Sequence, residues 1–489
     1  MKKTFLILLM LLTVLVVFVL IRTFTFSSKQ LQVAPLESVD VSDASIVRFS
    51  KAIQISTVSR ENPLELDSAA FSRFSVLLKD AFPLVDSLLE HQVYNQYSHV
   101  YKWQGSNPKL SPALLMGHLD VVPVAKEEVS EWKYLPFSGK VVDGQIWGRG
   151  TIDDKVSVMG LMEAAEMLLA EGYQPERTIY FAFGHDEENS GNYGAQVIAA
   201  AFERQGIRFA FALDEGYSII EDLIPGMTQP VALIGLAEKG YTTLRLSTVI
   251  KGGHSSMPER ETAIDLLSQA INNVRAYQFP ARLSGPMAAF AEYLGPEMPF
   301  VNRMAFANKG LFKPLIVSSY EKKASGNALL RTTVAPTILS AGEKQNVIPR
   351  KAEAIINFRI VPGETRQSVL DQVRSLVNDD RIVVEEVSHG TDPSSVSSVE
   401  GDGFQIINQT IREIFPGTLV APNLVIAATD SRFYSKVTEN TYRFAPFRLN
   451  PDNISTFHGI NERIGVEEYK DAIRFYRQLI RNSGISQNG

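Results

Sequence analysis

The chain has 489 residues, more than a single ordinary core organises, so two or three domains are expected. A formal charge of -6 and the lack of any Lys/Arg-rich stripe exclude a nucleic-acid-binding protein, and 45% apolar residues exclude wholesale disorder. There is no cysteine, so no disulfide framework exists, and any tight transition-metal site must use nitrogen and oxygen ligands.

Lys2 and Lys3 precede an apolar run from Phe5 to Ile21 that contains only Thr13 as an exception and closes at Arg22. The run approaches the length of a spanning helix (about 17–25 residues) and exceeds a signal-peptide core (about 7–15 residues). The following R-T-F-T-F-S-S-K carries no convincing cleavage signal. Residues 1–26 therefore read as an uncleaved signal anchor, a cleaved signal being the alternative. The leading lysines favour a cytoplasmic N-terminus, which places the body outside the cytoplasm, or in the secreted fraction if the segment is cleaved. Residues 27–42 are polar and mixed and read as a linker.

From 43 to 238 helical and strand patterns alternate. Ala69 to Phe82, Val156 to Glu171 and Gly194 to Arg204 have helical spacing, whereas Ala113 to Met116, Thr178 to Phe183 and Phe209 to Leu213 read as strands. This predicts an α/β domain with a mostly parallel sheet. Over 239–389 the texture changes to strand Thr242 to Ile250, helix Glu261 to Arg275, strands Thr332 to Leu339 and Ala352 to Ile360, helix Thr365 to Asn378 and strand Arg381 to Val387. That β-α-β-β-α-β order predicts an α+β, ferredoxin-like sandwich. The stretch Phe279 to Gly326 fits neither pattern. Residues 390–489 return to helix-strand-helix and are expected to complete the first domain.

Six polar islands punctuate this pattern: G-H-L-D (Gly117 to Asp120), G-R-G-T-I-D-D-K (Gly148 to Lys155), H-D-E-E-N-S-G (His185 to Gly191), L-D-E-G (Leu213 to Gly216), G-G-H-S-S-M-P (Gly252 to Pro258) and F-H-G-I-N-E (Phe457 to Glu462). Several follow strands, where α/β enzymes build their sites. In an extended segment His118 and Asp120 share a face, so Asp120 can fix the imidazole tautomer as the partner of a metal-bound histidine does. Asp153 and Asp154 precede a helix; one acid suffices to cap it, and a carboxylate bridging two cations is the functional alternative. Asp186, Glu187 and Glu188 would repel one another if buried without a cation. One Glu there suits a metal and its neighbour a proton-transfer role. Asp214 and Glu215 repeat the pattern. His254, among Gly and Ser residues, is presented rather than packed, and suits polarising a substrate carbonyl. His458 supplies a second imidazole. His91, His99, His185 and His389 lack such context and read as structural or surface residues. Two imidazoles with three or four carboxylates suffice for two zinc ions about 3.5–4 Å apart.

In this order the islands resemble the M20 metallopeptidase family, in particular its carboxypeptidase S branch (Gly-Xaa carboxypeptidases) and the N-fatty-acyl-amino-acid synthase/hydrolases; the resemblance covers nearly everything after residue 45. It implies a catalytic domain, 43–238 with 390–489, holding two Zn2+, interrupted by a lid or dimerisation domain at 239–389. It implies that His118 binds one zinc, Asp153 bridges, and Glu188 with His458 binds the other. The remaining ligand is Asp214 or Glu215, and Asp214 is the expectation. Glu187 is implied as general base, Asp120 as the residue orienting His118, and His254 as the oxyanion donor, often supplied across a dimer. Asn346 and Arg359 match positions that hold a substrate carboxylate, which a guanidinium binds as a fork. The activity implied is a zinc-dependent carboxypeptidase releasing a C-terminal amino acid from short peptides. An N-acyl-amino-acid amidohydrolase/synthase acting on fatty-acyl amino acids is the alternative, and a non-catalytic membrane-tethered binding protein a more distant one.

Overall fold

The computed structural model describes residues 1–484 other than 61, 63, 64, 388 and 389, so His389 lies outside the described residues. Its centre is a ten-stranded mixed sheet. Strands Ile179–Gly184, Ala113–His118, Phe211–Asp214 and Thr441–Arg443 run parallel side by side. Antiparallel strands Glu90–Tyr94 and Ser98–Trp103 close one edge. The four parallel strands are buried along their whole length, as Ala113–His118 and Ile179–Gly184 illustrate, because helices cover both faces. On one face lies helix Lys155–Ala170, where Val156, Val158, Leu161, Ala165 and Leu168 are all buried. On the other, Ile198 and Phe202 of helix Ala195–Arg204 meet Leu114, Met116 and Ala212.

The C-terminal part re-enters this layer. Thr441–Arg443 inserts between Phe211–Asp214 and Val231–Glu238, and the last helix, Val466–Ser483, buries Tyr469, Ile473, Tyr476 and Ile480 in the same core. Close backbone approach helps here. A Cβ on Gly403 would come within 2.5 Å of Phe211 Cγ and 2.6 Å of Tyr442 Cε2, so helix Asp402–Ile414 reaches the sheet only because that side chain is missing.

A second, four-stranded antiparallel sheet has the order Thr333–Ala341, Lys351–Ile360, Gly240–Val249, Ile382–Glu386. Helices Ala263–Ala276 and Arg366–Val377 cover one face, each opened by a threonine capping box. Lys351–Ile360 alternates between buried and more accessible positions, with Ala352, Ala354, Ile356, Phe358 and Ile360 facing the helices. Thr333–Ala341 is the outer strand and is exposed over most of its length. A two-stranded ribbon, Gly253–His254 with Val347–Ile348, projects from this unit.

Two segments sit differently from the sequence pattern. The intractable stretch after Phe279 forms helices Pro286–Leu294, Phe300–Ala307, Lys309–Glu321 and Ala324–Leu330, which belong with the large core rather than with the second sheet. Met287, Phe290, Tyr293 and Leu294 are buried there, and Tyr293 packs edge-on against Phe404. The polar stretch 27–42 is not a free tether either. Gln30 donates to the Tyr293 and Val420 carbonyls, Leu36 N–H donates to the Glu413 carbonyl, and Val41 is buried.

Replacing Gly403 by valine forces a branched side chain against two aromatic rings. We expect a loss of about 1–3 kcal/mol of stability, read as a lowered thermal midpoint; an unchanged midpoint would show that the helix can retreat.

Candidate active site

His118 ends a central strand, the turn Glu187–Asn189 follows the neighbouring strand, and Glu215 follows the next. Their side chains therefore converge at one end of the sheet. His118 Nδ1 donates to the Asp120 carbonyl at 3.0 Å and lies 3.3 Å from Asp120 Oδ1. The Asp120 carboxylate accepts the backbone N–H groups of Glu187 and Glu188, each at 3.1 Å. One buried acid thus fixes both an imidazole tautomer and the backbone of the acidic turn.

Asp153 stands at the centre. Its Oδ1 is 3.0 Å from His118 Nε2 and its Oδ2 is 2.6 Å from His458 Nε2. Glu215 Oε1 lies 3.7 Å from His118 Nε2, and Glu188 Oε1 lies 3.5 Å from His458 Nε2. The arrangement is two-sided: one carboxylate between two imidazoles, each imidazole with its own glutamate. Asp154 starts helix Lys155–Ala170, and its Oδ2 accepts the backbone N–H of His118 at 3.3 Å.

The loop carrying His458 is held by Arg149 and Glu462, which are 2% and 0% exposed and 2.6 Å apart. Glu462 Oε1 also accepts the N–H groups of Gly150 and Ile152, both at 2.9 Å, while Arg149 Nη2 donates to the carbonyls of His458 and Gly459. The second and sixth islands are therefore one structural unit, and His458 itself sits in the left-handed region at φ 56°.

The electrostatics fit a cation. Burial pushes the carboxyls of Glu187, Glu215 and Asp154 well above the usual range, with neighbouring acids adding to it. Burial, reinforced by Asp153, raises Glu188 to about 7. Hydrogen bonding to Asp153 and Glu188 raises His458 to about 10. Among the described residues, Asp154 Oδ1 is closed off from solvent without a hydrogen-bond partner. So many buried acids around two imidazoles are mutually repulsive as they stand, and divalent ions would relieve that repulsion. Among the described residues, His118 with Asp153 and Glu188, and His118 with Asp154 and Glu215, are close enough to share an ion.

The other candidate residues lie elsewhere or point elsewhere. Asp214 Oδ2 accepts the Ser431 N–H at 2.8 Å. Burial raises Asp214 to about 6, and among the described residues no hydrogen bond or ion pair joins it to either imidazole. His254 is on the exposed ribbon, where its Nδ1 pairs with Ser256 Oγ at 2.8 Å. Ser255 N–H donates to the Asn346 carbonyl, so His254 and Asn346 share that ribbon, apart from the acidic cluster. Arg359 stacks 4.9 Å from the Tyr241 ring centre. Burial is the main cause lowering its pKa and the charge of Arg432 a further one, which brings a guanidinium of the second sheet's unit near one of the first. His185 is buried against Ser98 Oγ, and His91 and His99 stack on each other.

Sequence reading missed Thr429 to Arg432 and their support. Glu238 Oε1 accepts from Thr429 Oγ1, Ser431 Oγ and Arg443 Nε. Asp430 is buried beside Gly184 and Gly191, with both carboxylate oxygens unpartnered among the described residues. No histidine marks this stretch; T-D-S-R directly after an apolar run was the only available signal.

A layered α/β sheet that gathers two imidazoles about a shared carboxylate, one from a strand end and one from a loop, with buried glutamates beside them, defines a metal-dependent hydrolase. The profile of peptidase family M20/M25/M40 matches residues 114–482, and the chain belongs to peptidase family M20. It is 41% identical over 474 residues to the probable carboxypeptidase S-like 2 of Dictyostelium discoideum, covering 95% of this chain and 91% of that one. It is 40% identical over 491 residues to an N-fatty-acyl-amino acid synthase/hydrolase of Danio rerio, covering 97% and 95%. An M20 family metallo-carboxypeptidase from Sulfolobus solfataricus shares the fold, with a TM-score of 0.67 at 16% identity over 91% of this chain and all of that one.

Arg149→Met strands the buried Glu462 carboxylate. Breaking one side of such a pair costs about 3–5 kcal/mol. We expect that loss in chemical denaturation, together with weakened metal retention through the displaced His458 loop; near-native stability would mean that Glu462 is satisfied by backbone alone.

Proposed function

We propose that this M20 enzyme is a dinuclear zinc carboxypeptidase that hydrolyses the amide bond next to a free C-terminal amino acid in short peptides. The observation that carries this reading is Asp153, whose two oxygens face His118 and His458 while Glu215 and Glu188 flank the two sides. One metal would be held by His118, Asp153 and Glu215, the other by Asp153, Glu188 and His458. Glu215 replaces Asp214 in this assignment because Ser431 already engages the Asp214 carboxylate. Bound zinc would supply Lewis acidity toward the amide carbonyl and toward water.

The chain's own residues do the rest. Glu187, its backbone fixed by Asp120, takes a proton from the attacking water and returns it to the leaving amine. His254, exposed and apart from the cluster, is proposed to reach the substrate carbonyl of a partner subunit. The exposed outer strand Thr333–Ala341 supports such a homodimer. The charges of Arg359 and Arg432 act on each other, and an anion between them, such as the substrate's terminal carboxylate, would relieve that repulsion; Asn346, on the ribbon with His254, is proposed to reach the same carboxylate.

A second reading, hydrolysis or synthesis of N-fatty-acyl amino acids, is favoured by the 40% identity to the Danio rerio protein of that name over nearly the whole chain. Both readings share the amino-acid half of the substrate and differ in the acyl half. We further infer that the N-terminal helix, Lys2–Phe24, stays on the protein as a membrane anchor with the catalytic body outside the cytoplasm. Thr23 is 1% exposed against the body, which supports retention.

Glu187→Gln should keep both metals by elemental analysis while kcat falls by about 10²–10⁴-fold; unaltered turnover would remove Glu187 from the mechanism. Glu215→Gln should reduce bound zinc from two equivalents toward one, and Asp214→Asn should not. The reverse result would restore Asp214 as the ligand. A panel of Gly-Xaa dipeptides and N-acyl amino acids of rising chain length decides the acyl half. Preference for the long chains would replace the peptidase reading with the second one.

A further inference from the structure

We infer that helices Phe300–Ala307 and Lys309–Glu321 form a membrane-contact platform that seats the catalytic body on the bilayer entered by the N-terminal helix. The inference rests on the anchor reading and goes beyond it, because a single flexible anchor would leave the body free to tumble.

The N-terminal helix is not a free rod. Its first four turns are exposed, but Val19 and Thr23 are 7% and 1% exposed. Buried Asn308 donates to the Val19 carbonyl at 3.2 Å and to Thr23 Oγ1 at 3.3 Å. Arg303 donates to the carbonyls of Thr23 and Phe26 at 3.1 and 2.8 Å. Phe24 and Phe300 meet with ring centres 6.0 Å apart. The body thus grips the last turns of this helix through the Val19 and Thr23 carbonyls and the Thr23 hydroxyl, and the chain just after it through the Phe26 carbonyl.

That grip sets the depth of the platform. A helix of 23 residues is about 35 Å long, enough for a hydrocarbon core of about 30 Å with its end at the headgroups. The apolar run ends at Ile21 and Arg22, so whatever packs on residues 19–24 lies at the membrane interface. The surface found there is apolar. Phe24, Val301, Leu311 and Leu315 are 70%, 65%, 52% and 60% exposed, and Leu311 and Leu315 share one face of their helix. Exposed apolar residues gathered on one face are unusual for a surface facing water alone.

Charge agrees with a lipid partner. Residues 300–323 hold five basic residues (Arg303, Lys309, Lys313, Lys322, Lys323) and one acidic residue, Glu321, in a chain whose net charge is -6. Apolar side chains beside lysines are the composition of a helix lying in an interface, and the lysines favour anionic headgroups.

The absence of cysteine allows a direct test on the full chain. Single variants Leu12→Cys, Val301→Cys, Leu315→Cys and, as a control on an exposed helix face, Val76→Cys would be labelled with an environment-sensitive fluorophore. They would be reconstituted in phosphatidylcholine vesicles with and without phosphatidylglycerol, carrying quencher lipids at shallow or deep positions. The expected result is deep quenching at position 12, shallow quenching at 301 and 315 that strengthens with phosphatidylglycerol, and none at 76. Adding Lys313→Glu and Lys322→Glu to the Leu315→Cys protein should remove the phosphatidylglycerol dependence. Quenching at 12 with water-like emission at 301 and 315 would overturn the platform and leave the anchor intact. No quenching at 12 would overturn both. Disulfide cross-linking between copies at 301 or 315, with no lipid quenching there, would make the surface a protein interface and also overturn the proposal.

Discussion

The Arg149–Glu462 pair is the constraint on which the catalytic geometry rests. Asp153 can stand between His118 and His458 only if segments 305 residues apart in sequence are held in fixed register. Glu462 achieves this by accepting from the Arg149 side chain and from two N–H groups of the turn that delivers Asp153. Arg149 completes the exchange by donating to the carbonyls of the His458 loop. A buried ion pair adds little net stability, but it specifies one arrangement strongly, since any slip leaves charges unsatisfied. That property suits a site whose side chains come from distant parts of the chain.

Asp120 plays the corresponding role on the other side. Its carboxylate is occupied by the N–H groups of Glu187 and Glu188, and its carbonyl by His118. The general-base candidate and a metal-ligand candidate are neighbours in sequence, and both are positioned through one acid. Moving Asp120 would therefore disturb an imidazole and the acidic turn together, so effects of substitutions here should be strongly non-additive.

Much of this was legible in the sequence because acids and histidines directly after apolar strands have few structural explanations. Helix Lys155–Ala170 and strand Ile179–Gly184 follow from periodicity, and the sites at their ends follow from the chemistry of buried acids. The choice between Asp214 and Glu215 was not legible. Asp214 continues the alternation of Ala212 toward the face covered by helix Ala195–Arg204 and the segment Asp430–Lys436, where Ser431 meets it. Nothing local announces that this face is occupied by residues more than two hundred positions later. The same reason hid Glu238, Arg443 and Asp430, whose importance is purely tertiary. The helices after Phe279 resisted reading because their apolar residues serve two surroundings, the large core on one side and exposed surface on the other.

The two sheets are joined where the chain passes outward at Glu238–Gly240 and returns near Thr391–Ser394. These passages are paired with each other: Tyr241 and Thr391 exchange N–H···O bonds at 2.8 Å, and Ser394 N–H donates to the Glu238 carbonyl. A Cβ on Gly240 would strike Pro393, so the strands approach this closely only with glycine there. Lys239, lodged between them, donates to the carbonyls of Ala328 and Arg331. A double crossing bonded in this way ties the two units through paired segments rather than through a single free linker. Arg359 belongs to the four-stranded unit and Arg432 to the larger one, so the place of one guanidinium relative to the other depends on how firmly this crossing is held.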